Sequence, residues 1–156
     1  MASAVRRIVT GHDADGRARV EIDEAMTLEP GPPGGRRVLW TTEGFPVDNT
    51  GSDDNSDRET GLTLPNGTVF RIVQFDPGNA PRRHRTSSVD YAVVMSGEID
   101  MELDDEVVHL QAGDVLVQRG TVHNWVNRGA EPCRIAFVLI DAEPVAVGGK
   151  LLQAEG

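Results

Sequence analysis

The chain has 156 residues, a single cysteine and a formal net charge of −10, long enough for one domain with a real core. Cys133 alone excludes an internal disulfide and a cysteine-rich zinc site, and the longest apolar run, Ile135–Ile140, falls far short of the ~20 residues of a membrane-spanning helix. The acidic balance repels nucleic-acid phosphates and anionic lipid, so the partner expected is a small-molecule substrate or ligand, with no nucleic acid and no membrane.

No apolar stretch follows the charged start of the chain, so no signal peptide is read and a cytoplasmic location is expected. Val5–Thr10 and Arg17–Ile22 flank Gly11–Gly16, a turn-forming stretch, and together predict a hairpin. Asp13, Asp15 and Gly16 resemble the start of a calcium loop but lack its downstream ligands. Glu29–Gly35 reads as a loop from its prolines and glycines, and Val38–Trp40 opens another apolar segment. Phe45–Gly61, polar with Asp53, Asp54 and Asp57 at its centre, predicts a mobile surface loop.

From Thr68 the pattern is one of short strands: Thr68–Phe75, Asp90–Ser96, Ile99–Leu103, Val107–Leu110, Val115–Gln118 and Ile135–Ile140, with Gly, Pro, Asn or Asp in most gaps. No helical period of useful length occurs. Strands at this spacing predict an all-β sandwich or barrel. One domain, 1–156, is expected, with a barrel core over about 68–141 and N-terminal strands and loops over 1–67.

The chemistry concentrates in two stretches. In an extended chain His84, Thr86, Ser88 and Asp90 share one face, and His123, Trp125 and Asn127 share another. The apolar residues that follow Asp90 on its face, Ala92 and Val94, place the polar start of that face at a barrel mouth. Two imidazoles, one carboxylate, two hydroxyls and an indole would then line one pocket. Arg82, Arg83 and Arg85 bracket His84, a basic cluster suited to an anionic group. Tyr91 and His109 fall on outward positions.

These stretches resemble the two motifs of the cupin superfamily. Gly78, His84 and Gly97 fit the first, G-x5-H-x-H-x3,4-E-x6-G. Gly113, Gly120, His123 and Asn127 fit the second, G-x5-P-x-G-x2-H-x3-N. Thr86 stands in place of the first motif's second histidine, Asp90 in place of its glutamate, and Gln118 in place of the second motif's proline, with that stretch one residue short.

The resemblance implies a cupin-type antiparallel β-barrel, the double-stranded jelly roll, with an N-terminal strand extension, and a homodimer in which Trp40 and the N-terminal strands form the interface. It implies His84, Asp90 and His123 as catalytic residues and as ligands of a divalent metal ion (Zn, Fe, Mn or Ni), the arrangement of two histidines and one carboxylate with open positions. Arg82, Arg85, Thr86, Ser88, Gln118 and Trp125 are the expected substrate-binding residues. The functions expected are a metal-dependent lyase, isomerase or dioxygenase acting on a small organic acid or polyketide-like substrate, a metal-free acid/base enzyme, or a non-catalytic binding module.

Overall fold

The structure, a computed structural model, describes residues 3–156. Among these residues there is no helix, and hence none long and apolar enough to cross a membrane. The strands are β1 (Ala4–His12), β2 (Ala18–Thr27), β3 (Glu29–Gly31), β4 (Gly34–Glu43), β5 (Gly67–Phe75), β6 (Ser88–Ser96), β7 (Glu98–Glu102), β8 (Val107–Gln111), β9 (Val115–Arg119), β10 (Asn124–Val126), β11 (Cys133–Asp141), β12 (Val145–Val147) and β13 (Lys150–Leu152). All pair antiparallel.

A six-stranded sheet in the order β3-β4-β5-β11-β6-β9 faces a three-stranded sheet, β10-β7-β8. The architecture is the all-β jelly-roll barrel with an N-terminal strand extension. Alternation explains the core. Val73 and Phe75 of β5, Ala92 and Val94 of β6, and Ile135, Phe137 and Leu139 of β11 point inward to meet Ile99, Met101, Leu110 and Trp125 of the other sheet. Each of the larger aliphatic and phenylalanine side chains among them contributes roughly 1.5–3 kcal/mol by leaving water. Gly97 makes the β6–β7 turn at φ 75°, and a Cβ there would sit 2.6 Å from the Pro132 carbonyl oxygen.

The outer face of the large sheet is apolar at Ile72, and the N-terminal segment covers it. Met26 and Leu28 pack with Leu39 and Ile72 in a second cluster. The expected hairpin is β1–β2, closed by Asp13, whose Oδ1 accepts the backbone N–H groups of Asp15 and Arg17 at 2.9 Å. That is turn chemistry, not a calcium loop.

Two sequence expectations change. Glu29–Gly35 is not a loop but the β3–β4 hairpin turning at Pro32 and Pro33, an edge position where proline's missing donor costs no ladder bond. His84 does not lie in one strand with Asp90. β6 begins at Ser88, and His84 and Arg85 form isolated bridges to His123 and Glu155. The Phe45–Gly61 segment is a surface stretch of turns and bends, as expected, and side-chain contacts tie it to the fold. The Asp54 carboxylate pairs with buried Arg7, the Asn55 carbonyl accepts from Thr41 Oγ1 at 2.6 Å, and Arg58 pairs with Glu43.

Candidate active site

Backbone pairing brings the two motif histidines together. His84 N–H donates to the His123 carbonyl at 3.0 Å and His123 N–H to the His84 carbonyl at 2.9 Å. Residues that exchange both bonds in an antiparallel bridge project side chains to the same face. The imidazole centroids are therefore 4.4 Å apart, tilted by 54°. Three asparagines stitch the segment before His84 to the β10 region. Asn79 Nδ2 donates to the Trp125 carbonyl at 2.9 Å, and its Oδ1 accepts Asn127 N–H at 2.8 Å. Asn124 Oδ1 accepts Arg82 N–H, also at 2.8 Å.

Each ring is fixed in one tautomer. Nδ1 lies 3.0 Å from the Arg82 carbonyl in His84 and 2.9 Å from the Thr121 carbonyl in His123. A carbonyl only accepts, so Nδ1 carries the proton and Nε2 keeps its lone pair. Burial pushes His123 down to about 4, opposed by its bond to the Thr121 carbonyl, and lowers His84 as well, with Arg82 and Arg71 adding to the effect. Both are neutral at pH 7.

Asp90 is buried on β6 opposite Gln118. Ser88 Oγ lies 2.6 Å from Asp90 Oδ1 and 2.8 Å from Thr86 Oγ1. One hydroxyl has one proton, so toward an ionised Asp90 Ser88 donates to the carboxylate and accepts from Thr86. Burial pushes the Asp90 carboxyl up, against the opposing pull of Ser88 and Arg71.

These groups share a cavity of about 330 Å³ inside the barrel. His84, Asp90, His123, Arg82, Thr86 and Trp125 line it, as expected. Its apolar wall is Val73, Phe75, Phe137, Leu139 and Trp125, and the Trp125 indole meets His123 edge-on at 6.0 Å.

Three expected binding residues do not line this cavity. Arg85 is drawn away because its backbone exchanges both hydrogen bonds with Glu155, and its guanidinium follows to the Glu155 carboxylate at 3.4 Å. Ser88 stands behind Asp90 and Thr86, orienting both. Gln118 is buried beside Thr121 and Met101, its Oε1 without a partner among the described residues. Arg71 and Arg36 line the cavity without having been read from the sequence. The signal for Arg71 was present: Val69, Arg71, Val73 and Phe75 alternate on β5, with one arginine among inward apolar residues.

The three-donor metal centre does not assemble. Among the described residues no group of three His, Cys, Asp or Glu side chains is placed to hold a metal ion. The imidazoles converge, but the Asp90 carboxylate is engaged by Ser88 and shares its surroundings with the Arg71 cation. A shorter side chain than glutamate, starting from a strand that begins four residues after His84, does not complete the set.

A cupin-domain family model matches residues 71–140. The chain is 41% identical over 157 residues to phomopsin biosynthesis cluster protein C' of Diaporthe leptostromiformis, spanning 94% of this chain and 83% of that protein. It is 35% identical over 161 residues to the cupin-domain-containing oxidoreductase fogC of Aspergillus ruber, spanning 97% and 79%. A Cupin 2 conserved barrel domain protein from Salinispora arenicola has the same fold, with a TM-score of 0.51 at 18% identity over 74% of this chain and 82% of that one. With both motif histidines in one barrel cavity and relatives matched over nearly its whole length, this chain belongs to the cupin-domain family.

Proposed function

We propose that the protein is a small cupin enzyme that moves a proton on a small organic substrate, in an isomerisation or elimination carried out by His84, His123 and Asp90. The observation that carries this reading is the facing pair of neutral imidazoles, each anchored through Nδ1 to a carbonyl, in the same cavity as a buried carboxyl. An anchored Nδ1–H leaves Nε2 as the proton acceptor. Burial pushes the imidazoles down and the carboxyl up, so their proton affinities approach one another. A bound anion would raise the proton affinity of the depressed imidazoles and make the base stronger when substrate is present. The Trp125 and Phe137 rings exclude water from the reacting carbon.

Relatives named as a biosynthesis cluster protein and as an oxidoreductase support conversion of a small molecule over simple binding. A divalent ion on the imidazole pair alone is the second reading, favoured by the two Nε2 lone pairs. It would supply Lewis-acid activation of a substrate oxygen. The homodimer belongs to the same proposal. Its interface is proposed not at Trp40 and the N-terminal strands, as the resemblance implied, but at Tyr91, Val93, Val115 and Val117, which stay exposed on the outer face of β6 and β9 and fit a second copy of this apolar face.

The test is deuterium incorporation from D2O into a panel of 2-oxo and 3-oxo acids, read by NMR. Exchange that survives dialysis against chelator and is lost in His123→Ala is expected. Exchange that vanishes with chelator and returns with a divalent metal establishes the second reading. Ligands that bind without exchange establish a binding module.

A further inference from the structure

β5 turns Val69, Arg71, Val73 and Phe75 to the barrel interior, and Val69, Val73 and Phe75 are all at most 6% exposed. Arg71 is the charged exception in that row. It stands with Arg36 of β4 and with Arg82 on the boundary between the inner cavity and an outer cleft, and all three line both.

Among the described residues none of the three forms an ion pair with a side-chain carboxylate, although Arg71 feels the charge of Asp90. Among the described residues, Arg36 and Arg71 make no ion pair and no side-chain hydrogen bond, and the Arg82 guanidinium reaches only the Gly156 carbonyl at 3.3 Å. The chain is not short of acids: it has 25 acidic against 15 basic residues. The neighbours Arg37 and Arg58, on the outer cleft, are paired with Glu29 and Glu43. Asp90 is the one carboxylate that lines the inner cavity, and Ser88 already bonds it. Arg36 and Arg82 are exposed at the opening and Arg71 is half-buried below them within electrostatic reach of Asp90, while Asp57 and Glu59 line the outer cleft without pairing with any of the three. Three guanidiniums thus converge on one opening over a single inner carboxylate, and a ligand carboxylate there gains charge-assisted hydrogen bonds.

We propose that Arg36, Arg71 and Arg82 form a carboxylate-binding subsite, so that the substrate is an organic acid with an apolar body, held carboxylate-outward with its reacting carbon against His84 and His123. The inference rests on the cavity being the substrate site and deepens that reading. The apolar wall takes the body of the ligand. A planar carboxylate matches the fork of a guanidinium. A small inorganic anion would leave the deeper cavity unfilled. Burial and its two arginine neighbours, opposed by Asp90, lower Arg71 to about 10, so it remains a cation at neutral pH and gains from a further counter-charge.

The test is titration calorimetry with three acids, trans-cinnamate, 4-phenylbutyrate and octanoate, against their primary amides and inorganic phosphate. At least one acid is expected to bind tenfold or more tighter than its amide, and phosphate to bind more weakly than that acid. Arg71→Met should erase the acid–amide difference while keeping amide affinity within twofold, with a melting temperature unchanged or raised. Arg85→Met, outside the cavity, should leave both ligands unaffected. If no acid outbinds its amide, if Arg71→Met loses acid and amide equally, or if Arg71→Met retains the preference, the subsite is overturned. Phosphate binding as tight as any acid overturns the carboxylate assignment. Acid binding intact in His84→Ala and His123→Ala but without proton exchange in the wild type would refute the proposed reaction and leave this subsite standing. Exchange without acid preference would do the reverse.

Discussion

His84 and His123 hold their rings 4.4 Å apart because each donates its backbone N–H to the other's carbonyl. The pair is therefore set by main chain and not by the side chains themselves. Nitrogen-15 NMR at pH 7 should find both rings neutral and protonated at Nδ1. A charged ring, or an Nε2–H tautomer in either, would contradict the anchoring by Arg82 and Thr121.

The same burial makes stability fall in acid. The folded value of His123, about 4, lies below the ordinary 6.5. The unfolded chain binds that proton first, so the contribution is complete above pH 6.5 and is lost as pH falls from 6.5 toward 4. By pH 5 the loss is on the order of 2 kcal/mol from His123 alone, and His84 shifts in the same direction. Asp90, shifted upward, acts oppositely: its contribution is full below the ordinary carboxylate range and fades as pH rises through its folded value. Urea unfolding at pH 7.5 and pH 5 should show the loss in wild type and a smaller one in His123→Gln.

Arg7 clamps the 45–61 segment. Its side chain is almost fully buried, with Nη1 2.8 Å from Asp54 Oδ1 and 3.0 Å from the Leu39 carbonyl, and with Glu24 as a second acid partner. The guanidinium holds Asp54 far below the usual carboxylate range, so this contribution is full above about pH 4 and is lost only as pH falls further. Asp54→Asn should cost about 1–2 kcal/mol, because Glu24 and Leu39 remain to Arg7. Hydrogen exchange should speed up selectively in 45–61, while β11 stays protected.

How far the sequence reaches is visible in these residues. Period-two alternation placed Asp90 and Ser88 inward and Tyr91 outward, and motif spacing brought His84 to His123. What it could not place depends on pairing between distant segments. Arg36 enters the cavity because β4 pairs with β5, and Arg85 leaves because residue 155 returns to pair with it. Neither partner is encoded near the residue it moves. Tethering of the acidic 45–61 segment likewise needs Arg7, about forty residues upstream. Arg71 is different: its position in an apolar alternation was legible, and only its charge argued against an inward reading.

The exposed face of β6 and β9 carries Tyr91 at 51% and Val115 at 74% exposure, with Val93 opposite Val115 and Tyr91 opposite Val117. If a second copy covers it, sedimentation should give a dimer in wild type and a monomer in Val117→Lys. Because Val117 does not line the cavity, acid binding should survive in that variant. A wild-type monomer at millimolar concentration would remove the dimer from the proposal.

Asn127 separates motif residues that hold the barrel from those that do chemistry. It lies on the second motif beside His123, yet it does not line the cavity and is 0% exposed. Its Nδ2 donates to the Phe75 carbonyl at 2.8 Å and the Glu131 carbonyl at 2.9 Å, and its Oδ1 accepts Gly129 N–H at 2.9 Å. One side chain thus joins the end of β5 to the turn that leads into β11. Asn127→Ala strands two carbonyls and one N–H at once, and a loss of about 2–4 kcal/mol follows from the cost of unpaired buried groups. Asn127→Asp should be no better: it keeps the acceptor for Gly129 but sets a carboxylate oxygen against two carbonyls. Well below its melting temperature, Asn127→Ala should still bind the preferred acid within about threefold of wild type and keep the His84 and His123 tautomers. A variant with full stability, or one that is stable but has lost binding, would instead move Asn127 from the scaffold into the site.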